Sequence, residues 1–82
     1  MTPLTLEKPV KVLDLKGLLC PIPIVKMAKA IKEVQVGQTI EAVATDPGVL
    51  ADIPAWARST GNELVLMEKL DKQFRFVVRR IR

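Results

Sequence analysis

Residues 10–34 read VKVLDLKGLLCPIPIVKMAKAIKEV, and the change of rhythm inside this stretch decides the fold. Val10 to Leu15 alternates with the two-residue period of a strand, with Val10, Val12 and Asp14 on one side and Lys11, Leu13 and Leu15 on the other. Gly17 punctuates the loop that follows. From Pro21 to Val34 the period lengthens. Ile24, Met27 or Ala28, Ile31 and Val34 recur at three- and four-residue spacing, which predicts a helix with one buried stripe and with Lys26, Lys29, Lys32 and Glu33 on its wet side. Pro21 and Pro23 fall in the first turn, where backbone N–H groups have no intrahelical partner, so neither costs a helical hydrogen bond. Gly37 is the expected stop signal.

Working outward, the stretch from 38 to 45 reads as a second strand, with Ile40, Ala42 and Ala44 on one face and Val43 opposite. Asp46-Pro47 reads as a helix start, a capping carboxylate followed by proline at the first helical position. The second helix is expected to run to Thr60 with Val49, Ile53 and Trp56 or Ala57 as its apolar stripe, and Gly61-Asn62 ends it. Pro54 inside this span lacks an N–H and predicts a kink or a break. Two further strands, 63–70 and 73–81, are joined at Asp71-Lys72. Leu64, Leu66 and Leu70 are expected on one face of the third strand with Glu68 among them, and Phe74, Phe76 and Val78 on one face of the fourth.

The order is β-α-β-α-β-β. Short right-handed crossovers place both helices on one face of a four-stranded sheet, a two-layer α/β sandwich whose other sheet face is partly open. Residues 1–9 carry polar and proline punctuation and are expected to be a loose arm, leaving 10–82 as a single domain.

Composition sets limits on function. The chain has 82 residues, 49% of them hydrophobic, with Trp56, Phe74 and Phe76 the only aromatics, so its core is aliphatic. It contains no histidine, which removes a Cys–His dyad, a histidine general base and a Cys/His zinc site. No cofactor or metal site is expected. No N-terminal apolar run resembles a signal peptide and no stretch approaches a membrane span, so the cytoplasm is the expected location, without a membrane partner. The net charge is +4, and Lys72, Arg75, Arg79, Arg80 and Arg82 crowd the C-terminal end. Two readings of that cluster stand: a charged strand edge that deters aggregation, or a docking surface for an acidic protein or RNA.

Cys20 is the single cysteine, in Gly17-Leu18-Leu19-Cys20-Pro21-Ile22-Pro23. A free cysteine is often a buried structural group. Here it stands at a helix start, where the aligned peptide dipoles favour thiolate. The two prolines remove donors, leaving Ile22 N–H, so a modest lowering of the thiol pKa is expected. Lys16 in the preceding loop and Lys26 on the helix are candidate electrostatic or docking support. Asp14 is a candidate for bonding to the Gly17 loop and holding it in shape, while Asp46 reads as an N-cap and Trp56 as helix packing.

With Asp14-x-x-Gly17-x-x-Cys20-Pro21-x-Pro23 and this element order in hand, the chain resembles the TusA/SirA family of small sulfur-carrier proteins over residues 10–82. Thr45-Asp46-Pro47-Gly48 and Asp52-Ile53-Pro54 strengthen the likeness. The resemblance implies a mixed four-stranded sheet like that of the C-terminal domain of translation initiation factor three. It also implies that Cys20 accepts sulfane sulfur as a persulfide from a cysteine desulfurase or a rhodanese-type donor, then passes it to an acceptor protein. Family uses include tRNA 2-thiolation, sulfur oxidation and cofactor sulfuration. One branch carries a basic residue before the cysteine and a polar one between the prolines. Leu19 and Ile22 stand there instead, giving the thiol a more apolar rim suited to another protein's apolar edge.

A carrier of this kind needs no general base of its own, in keeping with the missing histidine. Without a second cysteine, a persulfide cannot resolve internally and leaves only by transfer to another molecule. Three alternatives compete with it. A basic RNA-binding or regulatory module has few aromatics to stack on bases and leaves the surroundings of Cys20 unexplained, so nucleic-acid binding is not expected as the main function. A thiol peroxidase or redox sensor usually has a resolving cysteine. The third is a protein in which Cys20 is inert.

Overall fold

The computed structural model describes residues 9–82; apart from Pro9, the arm expected over 1–9 lies outside the described residues. The chain runs β1 (Lys11–Leu15), α1 (Ile22–Ile31), β2 (Thr39–Ala44), α2 (Val49–Thr60), β3 (Glu63–Leu70) and β4 (Gln73–Arg79). The sheet order is β1-β2-β4-β3. β1 and β2 are parallel, while β4 runs antiparallel to both β2 and β3. The sheet is therefore mixed, as the resemblance implied, and both helices lie against one face of it.

The core forms where that face meets the helices. On β4 the alternation is clean: Phe74, Phe76 and Val78 are buried between half-buried neighbours. In the ladder Phe76 stands opposite Ala42 and Phe74 opposite Ala44. Each large ring is thus matched by a methyl group, which keeps the layer even in thickness. Met27, Ala30 and Ile31 of α1 and Val49 and Ile53 of α2 close over it, with Trp56 packed at the margin.

Four expectations need correction. The first helix ends at Ile31 rather than Val34, because Lys32 and Glu33 donate back three residues to Lys29 and Ala30 and tighten the last turn. Val34 is nonetheless buried and completes the stripe. The second helix passes through Pro54 without a break. A proline in a helix interior costs about 3 kcal/mol, and burial of Ile53 and Ala57 beside it offsets that cost.

On β3 the register shifts between Leu64 and Leu66. Leu64 faces Val78 and Met67 faces Phe76, so these two turn inward, whereas Leu66 and Glu68 stand opposite Val77 and Arg75 on the outer face. The expected Leu64–Leu66–Leu70 face is divided by this bulge. Lastly, β4 is an interior strand, so its charges guard no edge. Arg75 pairs with Glu41 at 2.9 Å and Glu68 at 3.1 Å across the outer face, and Arg79 pairs with Glu63 at 2.9 Å.

Candidate thiol site

The site is built at the carboxyl ends of the two parallel strands, where the loops leaving β1 and β2 converge. Ligand sites in open α/β sheets favour this position, because successive crossovers bring their loops together there. In the β1–α1 loop, Lys16 N–H donates to Asp14 Oδ1 at 3.1 Å and Leu18 N–H donates to Leu15 O at 3.2 Å. Gly17 takes φ +81°, a left-handed conformation that glycine adopts without the steric cost of a side chain. Its N–H donates to Thr45 Oγ1 at 2.9 Å, which ties the loop to the one after β2.

Cys20 is exposed. It precedes Pro21, the N-cap of α1, through a cis peptide bond, and Pro23 is buried beneath the first turn. Ile22 N–H, the donor expected to face the sulfur, instead bonds Leu19 O at 2.9 Å. Asp46 is not a side-chain cap. The start of α2 is closed by main-chain bonds from Val49, Leu50 and Ala51 to Asp46, Pro47 and Gly48, leaving the Asp46 carboxylate free to reach across. Its Oδ2 accepts Cys20 N–H at 2.9 Å. From the first turn of α2, Asp52 Oδ2 accepts the Cys20 S–H.

These carboxylates reverse the expected electrostatics. The hydrogen bond to Asp52 is the largest cause, followed by desolvation and the negative charges of Asp52 and Asp46, and together they push the thiol up to about 11. The expected modest lowering is overturned. The resting group is a protonated thiol.

Gly48 completes the surroundings. Its backbone is right-handed helical, so its conformation does not require glycine. Space does: a Cβ there would lie 3.2 Å from Asp46 Oδ2 and 3.5 Å from Cys20 Sγ. Beside Cys20 in the chain, Leu19 is 71% exposed and Ile22 is also open to solvent.

Asp14 lies near the end of β1, Gly17 and Pro21 stand in the loop with Cys20, and Pro23 lies in the first turn of α1, while neither lysine is among the groups that shift the thiol. The Lys16 and Lys26 side chains are exposed, and Lys26 lines a groove of about 400 Å³ between β1 and α1 that Cys20 does not border. Reading residue by residue along the chain missed the parts played by Thr45, Asp46, Gly48 and Asp52 around the thiol. The available signal was the convergence of crossover loops at the ends of adjacent parallel strands, which brings 45–48 to 17–20.

Fold and site together define a small two-layer α/β domain that displays one thiol from a braced loop. Over residues 11–80 the chain matches the family described as Sulfurtransferase TusA. It is 38% identical over 68 residues to the sulfur carrier protein TusA of Allochromatium vinosum, covering 83% of this chain and 90% of that one. It is 46% identical over 69 residues to YrkF of Bacillus subtilis, covering 84% of this chain but only 37% of YrkF. The crystal structure of a SirA-like protein from Desulfitobacterium hafniense superposes with a TM-score of 0.75 at 19% identity, covering 88% of this chain and 99% of that one, and shares the fold. The chain belongs to the TusA family.

Proposed function

We propose that this protein is a sulfur carrier, loaded as a persulfide on Cys20. The observation that carries the reading is an exposed thiol, the only one in the chain, on a loop braced by side chains from a second loop. Its donor is a cysteine desulfurase or a rhodanese-type protein, and its acceptor is a further protein thiol. The onward use is tRNA 2-thiolation, sulfur oxidation or cofactor sulfuration, in a reducing cytoplasm. Asp14, Gly17, Pro21 and Pro23 shape the loop, and residues 10–82 act as one domain.

The transfer asks for accessibility and little else. Cys20 sulfur attacks the terminal sulfur of the donor persulfide, and the donor's inner sulfur departs with the electron pair. The product, Cys20–S–SH, is more acidic than a thiol and carries its charge on the outer sulfur, where an acceptor thiolate attacks next. The exposed apolar side chains of Leu19 and Ile22, flanking Cys20 and Pro21, support docking of both partners by burial of apolar surface. The basic-strand reading loses support, because Arg75 and Arg79 are engaged with glutamates.

The test is an intact-mass measurement after incubation with a cysteine desulfurase and free cysteine, without reductant. The wild-type chain is expected to gain the mass of one sulfur atom, and Cys20→Ser to gain none. Equal gain by both, or by neither, would sink the proposal.

A further inference from the structure

The relay chemistry leaves one contact without a task. The Asp52 carboxylate accepts the Cys20 S–H, although a thiol meant to attack gains nothing from a neighbouring negative charge. Building on the sulfur-carrier reading, we infer that Asp52 is a gate: it holds the empty Cys20 as a protonated thiol and makes the site selective for a donor that brings a positive charge to it.

The geometry carries this in three parts. Asp52 lies in the first turn of α2, and its Oδ2 contacts Sγ directly. Asp46, from the loop before α2, is fastened beside the sulfur by Cys20 N–H. Gly48 leaves Asp46 and Cys20 room to approach, its would-be Cβ lying 3.2 Å from Asp46 Oδ2 and 3.5 Å from Cys20 Sγ. No acidic residue opens α1, and the charges acting on the thiol come from Asp52 and Asp46. Lys16 and Lys26, the cations nearest in sequence, do not offset them.

A carboxylate is a far weaker base than a thiolate, so Asp52 does not strip the proton; it rewards the sulfur for keeping it. Ionised sulfur would face two negative charges. A donor side chain carrying a positive charge would engage Asp52, free the S–H and lower the cost of ionisation during the encounter. The transfer then balances without oxidant or reductant: Cys20–SH + R–S–SH gives Cys20–S–SH + R–SH. A sulfur–sulfur bond forms at Sγ, the donor's sulfur–sulfur bond breaks, and the thiol proton ends on the donor's departing sulfur. After loading, Sγ has no hydrogen to donate. The Asp52 contact is lost, and the anionic outer sulfur is repelled toward solvent and the acceptor. The gate therefore closes on the empty carrier and opens on the full one.

Alkylation by neutral iodoacetamide, followed across the alkaline range on the full chain, tests the gate without a partner. The wild-type rate is expected to keep climbing toward a midpoint near 11. Asp52→Asn should lower that midpoint by about one unit or more, a gain in rate near neutrality of about threefold or more once the weaker nucleophilicity of the less basic thiolate is counted, and Asp52→Glu should restore the wild-type profile. A cationic methanethiosulfonate reagent should outpace its anionic counterpart on wild type, and the advantage should shrink several-fold in Asp52→Asn. A wild-type midpoint in the ordinary cysteine range, about 8.5, overturns the gate with no variant needed. So do superimposable profiles, or an unchanged preference between the two reagents. Sulfur uptake with a flat profile sinks the gate alone. The expected profile without any uptake sinks the relay reading, and with it the donor half of this proposal.

Discussion

At the residue scale, Gly48 and Asp46 show how a local reading loses to a distant neighbour. Asp46-Pro47 carries the pattern of a helix cap, yet its carboxylate bonds a backbone N–H twenty-six residues earlier in the chain. Nothing in the dipeptide announces that choice; it is made by where the β1–α1 loop ends. Gly48 looks like a turn glycine and is instead a clearance beside the sulfur. Gly48→Val is therefore expected to fold, since its backbone is already helical, but to slow iodoacetamide alkylation of Cys20 several-fold. Circular dichroism and a melting curve check the first expectation, and timed mass spectra the second. An unchanged rate would mean that reagents reach the sulfur from a side Gly48 does not face. Cys20 itself was legible, being the only thiol, but the direction of its pKa was not. A helix start favours thiolate only while no carboxylate sits closer than the dipole.

At the element scale, type and order of the helices and strands followed from periodicity, because each strand or helix buries a regular set of positions. The failures lie where one residue breaks the period. The bulge between Leu64 and Leu66 turns Leu66 outward, and only its pairing with β4 reveals it. Pro54 predicts a kink or a break, and the helix continues through it. In β2, Thr39 is 2% exposed, and its Oγ1 has no hydrogen-bond partner among the described residues. Burying a hydroxyl unpaired costs about 1–3 kcal/mol, and valine keeps the branched shape a strand prefers. Thr39→Val should raise stability by about 1 kcal/mol, read as a higher urea midpoint at unchanged slope. A loss of stability would mean that the hydroxyl finds a partner in solution.

At the scale of the whole molecule, charge and shape are arranged on opposite sides. One sheet face is sealed by helices, and the other carries Glu41, Glu68, Arg75, Arg79 and Val77 in the open or half-open. The +4 charge suggested a cationic stripe at the C-terminal end, but the arginines of β4 are spent on glutamates brought alongside by strand pairing. Sequence order hid this, since Glu41 and Arg75 meet only when β4 inserts next to β2. Binding to a mixed-sequence RNA oligonucleotide should accordingly be weak at physiological salt and unaffected by Cys20→Ser. Fluorescence anisotropy across a salt series checks it, and a steep loss of strong binding with salt would restore the nucleic-acid reading. Among the described residues no helix is long and apolar enough to cross a membrane.

The clasp from Gly17 to Thr45 and from Cys20 to Asp46 has a consequence for how such a chain tolerates change. Its rungs are spaced three residues apart on one strand exit and one residue apart on the other, like two teeth of a zip. Lengthening either exit by a single amino acid would disengage both teeth and carry the sulfur off its mount, with every atom of the cysteine left intact.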